Sequence, residues 1–132
     1  MKEIHHATLK AFVQEVLGCG CPEEVFENMS CRKEYFSKTE GTLIDVGGRL
    51  LVFLWQMTDS TEVLEELKDI LKAGLAKRDT QGFNRLRLVL LAENTAQSMP
   101  DPQAKFLELI AKDTKVHFHI LKPETVPTFI LN

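Results

Sequence analysis

Along the first stretch of the chain the apolar residues recur three and four positions apart. Ile4, Leu9, Phe12, Val13, Val16 and Leu17 fall near one face of a helix predicted over residues 4 to 17, which Gly18 closes. A second, short helix is predicted from Pro22 to near Ser30. Proline suits the first helical turn, Glu23 and Glu24 favour the positive end of the helix dipole, and Val25 with Phe26 supply a small apolar face. From Cys31 the period shortens to that of strands, in RKEYFS, then TLIDV, then RLLVFLWQM, separated by Thr39-Glu40-Gly41 and by Gly47-Gly48. A Gly-Gly pair between β-branched and apolar runs is a tight hairpin signal, because both residues take positive φ at little cost. The third of these strands is apolar at nearly every position, which marks a central strand covered on both faces.

The second half alternates. Thr58-Asp59-Ser60-Thr61 offers N-cap side chains, and Val63, Leu64, Leu67, Ile70, Leu71 and Leu75 form a helical stripe reaching about Arg78. A linker with Gly82 leads to the strand Arg85–Leu91, the loop AENTAQSMPD follows, and Pro102 opens a helix carrying Phe106, Leu107, Ile110 and Ala111. Residues Lys115 to Leu121 make the last strand. Strand, helix, strand, helix, strand implies right-handed crossovers between parallel neighbours. The expected fold is therefore a single α/β domain over residues 1–132. It has N-terminal helices, a three-strand meander and two helix-strand crossovers, giving a mixed sheet of about five strands with helices on both faces.

Composition supports one domain: 132 residues with 44% hydrophobic and 27% charged positions are enough for a core without staples. A formal net charge of -3 provides no global field toward nucleic acid or an anionic membrane, so neither is expected as a partner. The longest apolar run, Leu50 to Trp55, is far short of the ~20 residues of a membrane span, and the N-terminus is polar and helical rather than a signal peptide. The expectation is a cytoplasmic protein whose three cysteines are reduced.

Two of those cysteines sit in GCGCPEEVF. Cys21 at a helix N-terminus stands near unpaired N–H groups that favour thiolate, while Glu23 and Glu24 oppose it. Cys19, Cys21 and Cys31, with His5 or His6 as a fourth ligand, make a soft set of the kind zinc takes. One C-x-C with a lone distant cysteine departs from paired knuckles, and the histidines lie about 20 Å back along the first helix at 1.5 Å per residue. The other reading of GCGCPEEVF is a corner between two helices.

A second candidate is the carboxyl edge of the parallel strands, where open α/β sheets place ligands. Asp59 and Ser60, Glu93 and Asn94, and Lys122 follow three strand ends there, although capping and turn roles account for the same residue types. His117 and His119, two apart on the last strand, share a face and would bind a metal given a third ligand. Arg85 and Arg87 likewise share a strand face, with Arg49 a possible neighbour, as an anion site or a salt-bridged rim.

The α-β-β-β-α-β run resembles the core order of the restriction-endonuclease-like nucleases, with Asp45 near the end of the second strand where that family keeps its first metal-binding acid. That family's third strand carries an E-x-K pair. Here the strand reads Arg49-Leu50-Leu51-Val52-Phe53-Leu54-Trp55-Gln56, which lacks both residues needed for two-metal cleavage. The expected function is a binding or interaction module rather than an enzyme of recognisable class. It is expected to act as a homodimer, because the apolar tail Val126-Pro127-Thr128-Phe129-Ile130-Leu131 must dock on its own sheet or on a partner. The alternatives are a thiol protein using Cys19, Cys21 and Cys31 for zinc or redox chemistry, and a small-molecule site at the strand ends.

Overall fold

The computed structural model describes residues 3–18, 23–56, 63–92, 102–110 and 113–131. Helix α1 (Glu3–Ala11) passes into a π-helical turn, Phe12–Val16, and a single 3-10 turn follows at Glu23–Glu27. Strands β1 (Met29–Phe36), β2 (Thr39–Val46) and β3 (Leu50–Gln56) form a meander. Helix α2 (Val63–Thr80), β4 (Arg85–Leu91), α3 (Pro102–Ile110) and β5 (Val116–Leu121) then alternate, before a 3-10 turn at Pro123–Thr125 and the short α4 (Thr128–Leu131). The five strands form one sheet in the order β1-β2-β3-β4-β5. The first three pair antiparallel and β3, β4 and β5 pair parallel, which is the mixed α/β sheet the alternation of periods predicts. Among the described residues no helix is long and apolar enough to cross a membrane.

Three local expectations are corrected. The helix predicted to run to Ser30 is one 3-10 turn ending at Glu27, because Met29 already pairs with Val46 in the sheet. At the end of the first helix, Leu17 N–H donates to the Phe12 carbonyl, an i→i+5 bond of 3.2 Å. That wider turn keeps Phe12, Val13 and Leu17 buried but leaves Val16, expected on the apolar face, 39% exposed. Gly41, expected between two strands, lies inside β2. A Cβ there would stand 2.3 Å from the Leu54 carbonyl oxygen and 2.6 Å from the Phe53 ring, so the residue is glycine for want of room. The actual β1–β2 turn uses Ser37 at φ 59, while Gly47 and Gly48 make the predicted hairpin with φ 62 and 69.

The sheet has a core on each face. On the side of α2 and α3, the side chains of alternate residues make apolar rows across the sheet: Leu51, Leu86 and Val116, then Phe53, Leu88 and Phe118. Aromatic rings run through it, with Phe36 stacked on Phe53 at 4.0 Å and Phe118 packed between Trp55 and Phe106. The Trp55 indole N–H is satisfied by Glu66 Oε1 at 3.0 Å. Arg78, at the end of α2, ties this layer to the loop before β5. Its guanidinium forks onto both carboxylate oxygens of Asp113 at 3.1 and 2.8 Å, and it also reaches Asp79 and the Lys115 carbonyl.

The opposite face is covered by α1, the two turns after it, and the C-terminal segment. Leu9, Phe12, Val13, Phe26, Val126 and Ile130 pack on Ile44, Val52, Leu54 and Val89. His6 bonds the Phe26 carbonyl and Lys10 pairs with Glu23, so the chain folds back along α1. The apolar tail docks on its own sheet: Val126 and Ile130 are 3% and 1% exposed, and Thr42 Oγ1 donates to the Ile130 carbonyl at 2.9 Å.

Candidate anion-binding site

Side chains in a strand alternate between faces, and neighbouring strands lie about 4.8 Å apart, so pairing register dictates which side chains meet. On the α1 face, the row through Cys31, Ile44 and Val52 continues into Arg87 of β4 and His117 of β5. The next row runs from Thr42 through Leu54 and Val89 to His119. Arg85, beside Leu50, opens the row before. In two of these rows the apolar surface stops between β3 and β4 and in the third it stops at Val89, so four basic side chains occupy one patch where the other face of the same strands stays apolar.

Arg87, His117 and His119 are half-buried and Arg85 is exposed. Arg87 Nη1 lies 2.9 Å from His119 Nε2. A guanidinium only donates, so Nε2 is the acceptor and the imidazole is neutral, with its hydrogen on Nδ1. Burial, with Arg87 and His117 alongside, pushes His119 down to about 4 from an ordinary 6.5. Burial and then the two arginines lower His117, and burial followed by the repulsion of Arg85 lowers Arg87. No carboxylate compensates: Arg85 and Arg87 form no ion pair among the described residues, and Arg87 Nε–H is buried without an acceptor. Chemically, the patch offers hydrogen-bond donors and positive charge with no carboxylate opposite them among the described residues.

Cys19, Cys21, Asp59, Ser60, Glu93 and Asn94 lie outside the described residues. Lys122, one residue beyond β5, is exposed, and its carbonyl accepts Thr125 Oγ1 at 2.7 Å. Cys31 is a free, half-buried thiol on β1 against the α1-side core, and burial pushes its pKa up, which opposes thiolate at neutral pH. His6 is engaged with Phe26, so folding back along α1, and not distance, settles where it stands. Asp45, placed by the nuclease resemblance at a metal site, instead accepts the Gly48 N–H at 2.8 Å within the β2–β3 turn. Among the described residues no three His, Cys, Asp or Glu side chains converge as a metal site. Neither a protein-family model, nor a curated protein, nor a solved structure matches the chain.

Taken separately in the sequence, the arginine pair suggests a salt-bridged rim and the histidine pair a semi-exposed face. Parallel pairing of β4 with β5 joins them, setting Arg87 against His117 and Val89 against His119. The signal available in the sequence is the matching alternation, R-L-R in one strand and H-F-H in the next.

Proposed function

We propose that this protein is a binding module for a small oxyanionic ligand, seated on Arg85, Arg87, His117 and His119 at the open edge of the α1-side core. The observation that carries the proposal is the Arg87 guanidinium, half-buried with no carboxylate partner among the described residues and with Nε–H orphaned. A buried donor left without an acceptor costs about 1–3 kcal/mol, and a bound anion removes that cost. Guanidinium groups are also the side chains best matched to carboxylate and phosphate oxygens. The proposal uses a single copy of the chain, since the tail that would motivate a dimer is docked on its own sheet.

Thermal-shift titration with sulfate, phosphate and citrate tests it. Ligand at 100 times its Kd stabilises by about 2.7 kcal/mol, and the Arg87→Met variant, which keeps much of the side-chain volume, loses the response. Equal shifts in wild type and variant, or no shift with any of the three anions, would overturn the proposal.

A further inference from the structure

The inference concerns the ligand's charge and the proton that accompanies it, and it rests on the anion-site reading above. In the free protein Arg87 donates to His119 Nε2, so the lone pair that would take a proton is already in use. Arg87 Nε–H meanwhile has no acceptor. An oxyanion on the patch supplies acceptors to the guanidinium, which releases the imidazole. Nε2 can then take a proton and donate to the same anion. We infer that the patch selects a doubly charged tetrahedral oxyanion, a phosphoryl group in chemical class, and that His119 takes up one proton as it binds.

Charge decides the class. A single carboxylate is satisfied by one guanidinium fork and leaves Arg85 and a protonated His119 uncompensated. A dianion with three free oxygens has acceptors and charge for Arg87 and the imidazolium together, with Arg85 at the rim. The charged groups acting on His119 among the described residues are Arg87 from β4 and His117 from β5, and those acting on His117 are Arg87 and Arg85. From α1, the turns after it and the C-terminal segment, which pack on the same face, no carboxylate among the described residues enters. With no acid among the described residues to hold an imidazolium, the ligand is the group that stabilises it. The balance is simple: one proton passes from solvent to Nε2, and the Arg87–His119 hydrogen bond is exchanged for bonds to the anion.

The test uses the whole chain with sulfate, a dianion across the working pH range, and methanesulfonate, its singly charged analogue. Calorimetry at pH 7.5 and pH 5.0 is expected to give sulfate binding about tenfold tighter at the lower pH, with net proton uptake, as linkage to a His119 pKa raised in the complex requires. Methanesulfonate is expected to bind weakly and without uptake. Histidine-ring NMR titration should show the His119 pKa, about 4 in the free protein, raised when sulfate is added. In His119→Gln, whose amide oxygen still accepts from Arg87, sulfate affinity should lose most of its pH dependence, with only the part that His117 contributes remaining. Phenyl phosphate tighter than inorganic phosphate identifies the phosphoryl source as an ester, and equal affinity identifies the free ion. Sulfate binding that is pH-independent in wild type, methanesulfonate binding as tight as sulfate, or His119→Gln keeping the pH dependence overturns the inference while leaving the anion site standing. Absence of any oxyanion binding overturns both.

Discussion

The two faces of this sheet are built from the same strands and finished differently. On the α2–α3 face the apolar rows run unbroken from β3 to β5, and the charge that enters the layer is answered: Arg78 is held by Asp113, Asp79 and a carbonyl. On the α1 face two of the rows turn from apolar to basic after β3, and the arginine there, Arg87, has a neutral histidine and an orphaned N–H. A partly buried charge with a complete set of partners tends to be structural, whereas one lacking them is maintained at a cost to stability. Such imperfections cluster at functional sites, where a ligand completes what the fold leaves open.

That contrast can be broken most forcefully in the aromatic layer. Phe53→Ala removes a ring stacked on Phe36 and close to Trp55, and should cost about 3–5 kcal/mol in urea unfolding. A cost below ~1 kcal/mol would mean the α2–α3 face is not the stable half. Ile130→Ala, on the other face, should cost about 2–4 kcal/mol, since the side chain is 1% exposed and seats the tail on the sheet. Full stability after that change would show that the tail contributes nothing by docking. Arg78→Ala should cost about 2 kcal/mol by removing charged hydrogen bonds to Asp113, in contrast to Arg87→Met, which should be neutral or stabilising.

The pH dependence sharpens the same comparison. Hydrogen bonding to Arg78 holds the Asp113 carboxyl below its ordinary 3.8. The unfolded chain therefore binds a proton first, so this stability is present above about pH 4 and is lost as pH falls through the lower folded value. His119 acts earlier in an acid titration. Its folded value near 4 lies below the unfolded 6.5, so between those limits the unfolded chain holds a proton that the native one refuses. Stability should decline from about pH 6.5 to pH 4 with a slope of at most about 1.4 kcal/mol per pH unit from this residue. His119→Gln should reduce the slope over pH 4–6.5 and leave the part that His117 contributes, and Asp113→Asn should flatten the curve only below about pH 4. Unchanged curves in denaturation series at fixed pH would sink either assignment.

Much of the architecture was legible because each element carries a local signature. The continuous apolar run Leu50 to Trp55 announces the central strand, and Gly47-Gly48 announces the hairpin. Gly41 misled because a glycine needed for turning and one needed for close packing look alike in a sequence. Only the Phe53 ring and the Leu54 carbonyl tell them apart. Val16 misled because its exposure depends on a π turn whose single extra residue leaves no mark on the apolar spacing. The candidate site was visible only as two fragments, R-L-R and H-F-H. Asp45 drew attention for its place in a nuclease-like order, yet its carboxylate is used up in closing a turn.

By itself the sequence determined the order and type of nearly every element, because helical and strand periods, caps and glycine pairs act over a few residues. It also determined that the last strands carry basic residues on one face. Only the tertiary structure decided what that face meets. Parallel pairing of β4 with β5 sets Arg87 beside His117 and brings its guanidinium to His119, next to the core that α1 and the tail cover. Register and the extent of a covering layer are properties of segments far apart in the chain, and no local pattern encodes them.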